Sequence, residues 1–367
     1  MNCKVAHLTS AHPRYDTRIF VKQCRSLAKR YSVALFVADG RGDEVVSNVR
    51  IIDIGKPSGR LDRMLHTTKR MFERALQYDA GIYHIHDPEL LPIGIKLKRR
   101  GRKVIFDAHE DTPLQIQNKT YLNFFVRKAV SVLFGRFEKH ACSRFDAVVA
   151  ATPFIRNKFS KINSRCVDIN NYPVFEELKN KIPYEKRGEY ICYIGYITAV
   201  RGIKELVGAM ENLDGVRLKL AGKFQEADVE TEVRSYKGWQ KVDFLGFLGR
   251  DEIRTLLSEC RAGIVTLHPV PNYLDALPVK MFEYMAAGVP VIASDFPLWR
   301  SIVEKTACGL CVDPEDSKAV SDAVRYIMTH PDEAAQMGAN GIEAVRKRYN
   351  WQEEERKLLA LYEELMQ

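Results

Sequence analysis

Runs of five to seven residues, apolar at nearly every position, recur along the chain. In the first half they are Lys4–Leu8, Ser32–Val37, Ile82–His86, Val104–His109 and Ala147–Thr152. Between the first two, Phe20, Val21, Cys24, Leu27 and Ala28 repeat at helical spacing within Arg18–Arg30. Strands that are apolar on both faces and separated by helices predict a parallel sheet covered on both sides. Residues 173–189 are charged and lack a period, which predicts a linker. The alternation then restarts with Tyr190–Gly195, Val216–Gly222, Val242–Gly246, Ala262–Leu267, Val289–Ser294 and Gly309–Asp313. A second α/β sheet follows from that. Asn350-Trp-Gln-Glu353 has the form of a capping box, and Leu358, Leu361, Tyr362 and Leu365 share one helical face behind it. The expected organisation is a first domain over 1–172, the linker, a second domain over 190–349 and a final helix over 350–367.

The composition agrees with two soluble domains. The chain has 367 residues, 46% hydrophobic and 28% charged. No apolar run approaches the ~18 residues needed to cross a bilayer. Met-Asn-Cys-Lys-Val-Ala-His-Leu reads as a strand, not a secretory signal, which predicts a cytoplasmic protein. Charge is divided unevenly: residues 1–185 hold 33 Lys and Arg against 19 Asp and Glu, while the remainder holds 23 against 28. Different partners for the two halves are implied. Eight cysteines have no regular spacing apart from Cys308-x-x-Cys311, which lies in a strand pattern without a second pair. Free structural thiols are expected, with neither metal nor cofactor.

The richest stretch is Asp275-Ala-Leu-Pro-Val-Lys-Met-Phe-Glu-Tyr-Met-Ala-Ala-Gly-Val-Pro290. Pro278 suits the first turn of a helix and Gly288 the position just past its end. Met281, Phe282 and Met285 form its apolar side, leaving Lys280 and Glu283 together on the polar one. The helix start, from Leu277 through Pro278 and Val279 to Lys280, offers amide hydrogens and a positive dipole end, a seat for phosphate. Glu283, one turn on, can accept from sugar hydroxyls. Phosphate at the tip and hydroxyls at the side describe a nucleoside-diphosphate sugar.

At these residues the chain resembles family 4 of the retaining glycosyltransferases, whose GT-B fold sets two Rossmann-like, doubly wound domains facing across a cleft. The family carries two acids separated by seven positions before a Met-Ala-x-Gly-x-Pro-Val run; Asp275 and Glu283 have that separation, and Met285–Val291 reads Met-Ala-Ala-Gly-Val-Pro-Val. The first acid is usually Glu, and Leu-Pro-Val-Lys replaces the usual Gly-Phe-Gly, as in the bacterial polysaccharide branch. Tyr190–Lys204 resembles the element whose two cations grip the donor diphosphate: Arg201, followed by Gly202, takes one position, Tyr196 stands at the other, and Lys280 is the candidate replacement. Gly222 and Lys223 sit at a strand end where the family contacts the donor.

In the first half, His86-Asp87 and His109-Glu110 each follow a strand, where ligands of α/β sheets bind. A lone histidine is more often a packed core or surface residue; two His-acid pairs at successive strand ends favour function. The resemblance implies that His109 is catalytic together with Asp275 and Glu283, and that His86, Asp87 and Glu110 line the acceptor side. Asp16 and Arg18 read as an ion pair at a helix start. No Asp-x-Asp ends an apolar strand, no G-x-G-x-x-G follows Leu8 or Gly195, and no Walker loop is present, which argues against metal-bridged, nicotinamide and P-loop chemistry.

Tyr121–Lys139 repeats Leu122, Val126, Ala129, Leu133 and Phe137 at helical spacing, among Phe124, Phe125, Phe134, Arg127, Lys128 and Arg136. Either it covers the first sheet with its charges solvated, or it rests on an anionic membrane surface. The expected function is transfer of a sugar from a nucleoside-diphosphate sugar to a lipid-linked saccharide acceptor at the inner face of the plasma membrane, without nucleic acid. A sugar-nucleotide epimerase of the same architecture, or a non-catalytic basic protein binding lipid or nucleic acid, are the alternatives.

Overall fold

The computed structural model describes residues 3–117, 123–179 and 182–367. The chain forms two units, Met1–Asn171 with Gln352–Gln367, and Tyr172–Trp351.

The first unit is built on β1 (Lys4–Leu8), β2 (Ser32–Val37), β3 (Glu44–Val46), β4 (Val49–Asp53), β5 (Ile82–Ile85), β6 (Lys103–Ala108), β7 (Ala147–Ala150) and β8 (Cys166–Asp168). Their order is β3-β4-β2-β1-β5-β6-β7-β8, parallel throughout except for β3 against β4. That edge hairpin turns on Ser47 and Asn48, both at positive φ, the geometry of a two-residue turn matched to strand twist. Strand order reverses between β1 and β5, so the crevice of this unit opens at their carboxyl ends.

The helix after β1 begins as a wide turn over Thr17–Cys24 and continues as Arg25–Leu27. Asp16 caps it, its Oδ1 accepting from the amides of Arg18 (2.8 Å) and Ile19 (2.9 Å). The π-type turn carries Arg18, Lys22 and Gln23 inward, all buried. The C-terminal helix, Trp351–Met366, buries Leu358, Leu361, Tyr362 and Leu365, and Glu354 accepts from the Asn170 amide at 2.8 Å.

On the Phe124–Cys142 helix, Ser131, Glu138, Ala141 and Cys142 are buried, while Phe125 is 77% and Leu133 64% exposed. The apolar row read from Val126 to Phe137 therefore faces away from the core; Tyr121 and Leu122 lie outside the described residues. No helix among the described residues is long and apolar enough to cross a membrane.

The second unit has β9 (Tyr190–Ile194), β10 (Arg217–Ala221), β11 (Val242–Gly246), β12 (Ala262–Val265), β13 (Val291–Ser294) and β14 (Gly309–Val312), in order β11-β10-β9-β12-β13-β14, all parallel. Its switch point is β9/β12, with apolar clusters on both faces. The segment read as a linker is claimed by this unit: Leu178 and Tyr184 are buried, and Arg187 donates to Gly288 O at 2.8 Å. Asn180 and Lys181 lie outside the described residues. All eight cysteines are free thiols, those of the C-x-x-C included.

Candidate active site

Strand alternation gathers three histidines of the first unit. His84 and His86 are two residues apart and share a face; His7 on β1 stands opposite His84, and the register pairing His84 with Ile105 sets His86 beside Asp107. A carboxylate inside an otherwise apolar strand requires buried partners. Asp107 has four. Arg18 donates Nη2 to Oδ1 (2.7 Å) and Nε to Oδ2 (3.0 Å), and Gln23 Nε2 donates to Oδ2 (2.8 Å). His86 Nδ1 lies 3.2 Å and His109 Nε2 3.1 Å from the same oxygen. Burial opposes ionisation of Asp107, but Arg18 and His109 outweigh it and hold the carboxyl well below its usual range. Burial also pushes His86 down to about 3, against the pull of Asp107.

His109 remains 19% exposed by its side chain, so one ring edge faces outward from this centre. Glu110 beside it is exposed. Asp87 is buried and engaged by the loop after β1: Thr9 Oγ1 (2.9 Å) and the Ser10 amide (2.6 Å) donate to its Oδ2. It therefore fixes that loop. The expected Asp16–Arg18 ion pair is not formed; Arg18 is drawn to Asp107 by the wide turn, leaving Asp16 as the cap and as a neighbour of His12.

His12 has no counterpart among the residues singled out from the sequence. Its ring lies 4.9 Å from that of His109, with Nδ1 3.5 Å from Asp16 and Nε2 3.5 Å from Asp87. Burial works against its charge, but Asp16, Asp87 and Asp107 overcome this and raise its pKa. Its signal was the spacing His12-x-x-x-Asp16 ahead of the helix.

In the second unit, the Val279–Ala286 helix follows Pro278, which sits just before the first turn. Tyr284 Oη accepts from Ile194 N (3.2 Å) and donates to Ile264 O (3.3 Å), locking the helix across the switch point. Trp299 Nε1 donates to Ala276 O at 2.7 Å and holds the loop in front of it. Lys280, expected on the solvated side, is only 9% exposed. Its Nζ has no hydrogen-bond partner and lies 3.6 Å from the centroid of the Tyr193 ring. Burial first, and Arg201 second, push its pKa well below the ordinary lysine value.

Gly195 follows β9, and a Cβ built there would stand 3.4 Å from Lys280 Nζ and 3.8 Å from Arg201 Nη1. Two cations thus converge on one glycine. The neighbouring glycines are sterically required: a Cβ on Gly222 would lie 1.8 Å from Gly195 O, and one on Gly202 2.0 Å from Thr266 O. Both have positive φ as well. Glu283 is partly buried and close enough to Lys280 to oppose the lowering of its pKa. Asp275 and Lys223 are exposed, and Val279 is half-buried.

Among the described residues, two groups bring three metal-ligating atoms within 4.8 Å of one another: His7, His84 and His86, and His86, Asp107 and His109. The second already holds the Arg18 guanidinium on both Asp107 oxygens, which a cation would have to face.

Comparison with known proteins gives the family and the fold. Residues 17–170 match the family model Glycosyltransferase Family 4, and residues 174–344 match Glycosyl transferases group 1. The chain belongs to the family 4 glycosyltransferases. It is similar to the phosphatidyl-myo-inositol mannosyltransferase of Mycobacterium leprae, 29% identical over 49% of this chain and 48% of that protein. The chain therefore spans about half the length of that relative. It is also similar to the O-antigen chain mannosyltransferase RfbU of Salmonella typhimurium, 24% identical over 66% of this chain and 69% of that protein. Among solved structures, Anabaena Alr3699/HepE in complex with UDP and glucose superposes with a TM-score of 0.76 at 14% identity, covering 99% of this chain and 100% of that one. The GT-B fold expected of the family is the fold of this chain.

Proposed function

We propose that the protein is a retaining glycosyltransferase that moves a hexosyl-type sugar from a nucleoside-diphosphate sugar to a lipid-linked saccharide in surface-polysaccharide assembly. The observation that carries this reading is the meeting of Lys280 Nζ and Arg201 Nη1 beside Gly195, with the ammonium buried against the Tyr193 ring and without a hydrogen-bond partner. A lysine held in that condition without an anion is unfavourable, and a diphosphate supplies what it lacks. Arg201 and Lys280 grip the two phosphates, and the amide-rich start at Pro278 and Val279 adds donors. Gly202, Gly222 and Lys223 border the donor, and Glu283 accepts from its hydroxyls. Asp275, exposed on the loop before the helix, completes the acidic pair.

The sugar C1–phosphate oxygen bond breaks as the acceptor hydroxyl bonds to C1 from the same face, and the hydroxyl proton passes to the departing phosphate. The two side-chain cations stabilise the charge that develops on the diphosphate, with no divalent metal in this scheme. His109 orients the sugar, and His86, Asp87 and Glu110 shape the acceptor side. The mannosyltransferases to which the chain is similar support a lipid-linked or O-antigen-type acceptor. The exposed Phe124, Phe125 and Leu133, interleaved with Arg127, Lys128 and Arg136, suit an anionic bilayer surface and a peripheral, cytoplasmic enzyme.

Transfer from UDP- and GDP-sugars to a polyprenyl-diphosphate saccharide tests the proposal. Arg201→Ala and Glu283→Ala are each expected to lose about 10²-fold or more in kcat/KM. Near-normal transfer by either variant, or conversion of the donor without an acceptor, overturns it.

A further inference from the structure

Four histidines surround the Asp107 centre, yet only His109 reaches the surface of the group, and the buried three pose a separate question. Asp107 is ionised by Arg18, so its Oδ2 can only accept. His86 must then donate to it through Nδ1, at 3.2 Å. A neutral imidazole carries one hydrogen, which leaves His86 Nε2 an acceptor, and His7 Nδ1 lies 2.9 Å from it. His7 Nε2 is in turn an acceptor, 3.3 Å from Tyr362 Oη. With its only hydrogen spent on His7, the Tyr362 oxygen accepts from His84 Nδ1 at 2.8 Å. Every link is therefore one-directional: His84 to Tyr362 to His7 to His86 to Asp107. Burial, which depresses all three buried imidazoles, keeps them neutral along the way.

The chain of bonds does not lead out. Its far end, His84 Nε2, is buried with no hydrogen-bond partner, so no proton can leave by that route. The array cannot work as a shuttle to solvent. What it can do is hold and polarise. Each donated hydrogen makes the next ring a stronger donor, and stacking of His7 and His84 on His86, with ring centroids 5.1 and 4.7 Å away, restrains the rings themselves.

We infer that Tyr362, carried in by the C-terminal helix, is a positioning residue for the His86–Asp107–His109 centre and acts on it through His7. The kinetic part of this inference rests on the role proposed above for His109. A hydroxyl delivered by the last helix thus reaches the crevice of the first unit.

The test uses the full chain labelled with 15N at its nine histidines. In the unliganded native protein His7, His84 and His86 are expected to carry hydrogen on Nδ1 and none on Nε2, against the preference of free histidine. Tyr362→Phe removes one oxygen. It is expected to release His84 from that state, to shift the His7 Nε2 resonance, and to lower kcat about fivefold at an unchanged donor KM. Adding His84→Leu removes one of the two groups the variant strands and is expected to recover part of the Tm without recovering kcat. Hydrogen on Nε2 of His7 or His86, recovery of kcat together with Tm, or a zinc-induced rise in Tm that requires His84 would each overturn the inference. Should no nucleoside-diphosphate sugar be turned over even by the native protein, the proposed reaction fails, while the 15N pattern still decides the direction of the array.

Discussion

Lys280→Met is the perturbation that separates structural from functional use of the donor-site cations. Met keeps the apolar stem in the space beside Tyr193 and removes only the ammonium, which is buried and without a hydrogen-bond partner. An unsatisfied buried polar group costs about 1–3 kcal/mol, so the unliganded variant should be more stable than the native protein by about 2 kcal/mol. For a unit of this size that corresponds to a rise in Tm of about 6 °C. The same substitution removes a charge-assisted bond to phosphate, worth about 1.5–3 kcal/mol, and should weaken nucleoside-diphosphate binding about 10- to 100-fold. At a UDP or GDP concentration that stabilises the native protein by about 2.7 kcal/mol, a hundredfold weaker variant gains only about 0.4. Differential scanning fluorimetry with and without nucleotide reads both effects. Because the Lys280 pKa is depressed in the fold, the unfolded chain binds the extra proton, and native stability climbs as pH rises toward the ordinary lysine value. The advantage of the variant should therefore shrink between pH 7 and pH 10. A variant less stable than the native protein, or one that keeps its full nucleotide response, refutes the reasoning.

Three further outcomes follow from the same geometry. Gly222→Ala drives a methyl group onto Gly195 O and should cost about 3 kcal/mol or more, visible as a large fall in Tm and loss of nucleotide binding. His12 has a raised pKa, so its ion pairs stabilise the fold below about pH 6.5 and this contribution disappears as pH rises through the raised value. His12→Gln should flatten that part of the Tm–pH curve, by less than about 1 kcal/mol for contacts as long as 3.5 Å made by a ring still partly open to solvent. Flotation with anionic vesicles should retain the native protein at low salt; replacing Arg127, Lys128 and Arg136 by Glu should weaken that binding by at least about 100-fold, with neutral vesicles binding neither form.

Most strands that the sequence revealed are buried on both faces, where an uninterrupted apolar run leaves no other reading; β11 and β14, at the edges of the second sheet, are only partly buried and were legible from the same apolar runs. β3, β4 and β8 escaped notice: they lie toward the sheet margins, are short, and are broken by Glu44, Arg50 and Asp168. At the candidate site, the Val279–Ala286 helix was legible from Pro278, Gly288 and the Met281–Phe282–Met285 face, but the burial of Lys280 was not. Helical periodicity assigns a lysine to the wet side and cannot foresee a tyrosine ring waiting there. The Asp107 hub does leave a trace in the sequence: a carboxylate amid Val104, Ile105, Phe106 and Ala108 demands a cation. Arg18 could be recognised as that cation only if the wide turn were known, since an ordinary helical spacing leaves it beside Asp16. His7 looked like part of a strand, and only its register against His84 gives it company.

The first unit is assembled from two stretches of chain with the whole of the second between them. A ribosome threads Gln352–Gln367 only after the whole of Tyr172–Trp351, so the nascent amino-terminal sheet must wait, one hydrophobic flank bare, while that second unit is synthesised. Residues 1–171 made alone should be sticky and chaperone-dependent, and adding the missing helix as a separate peptide should rescue their solubility.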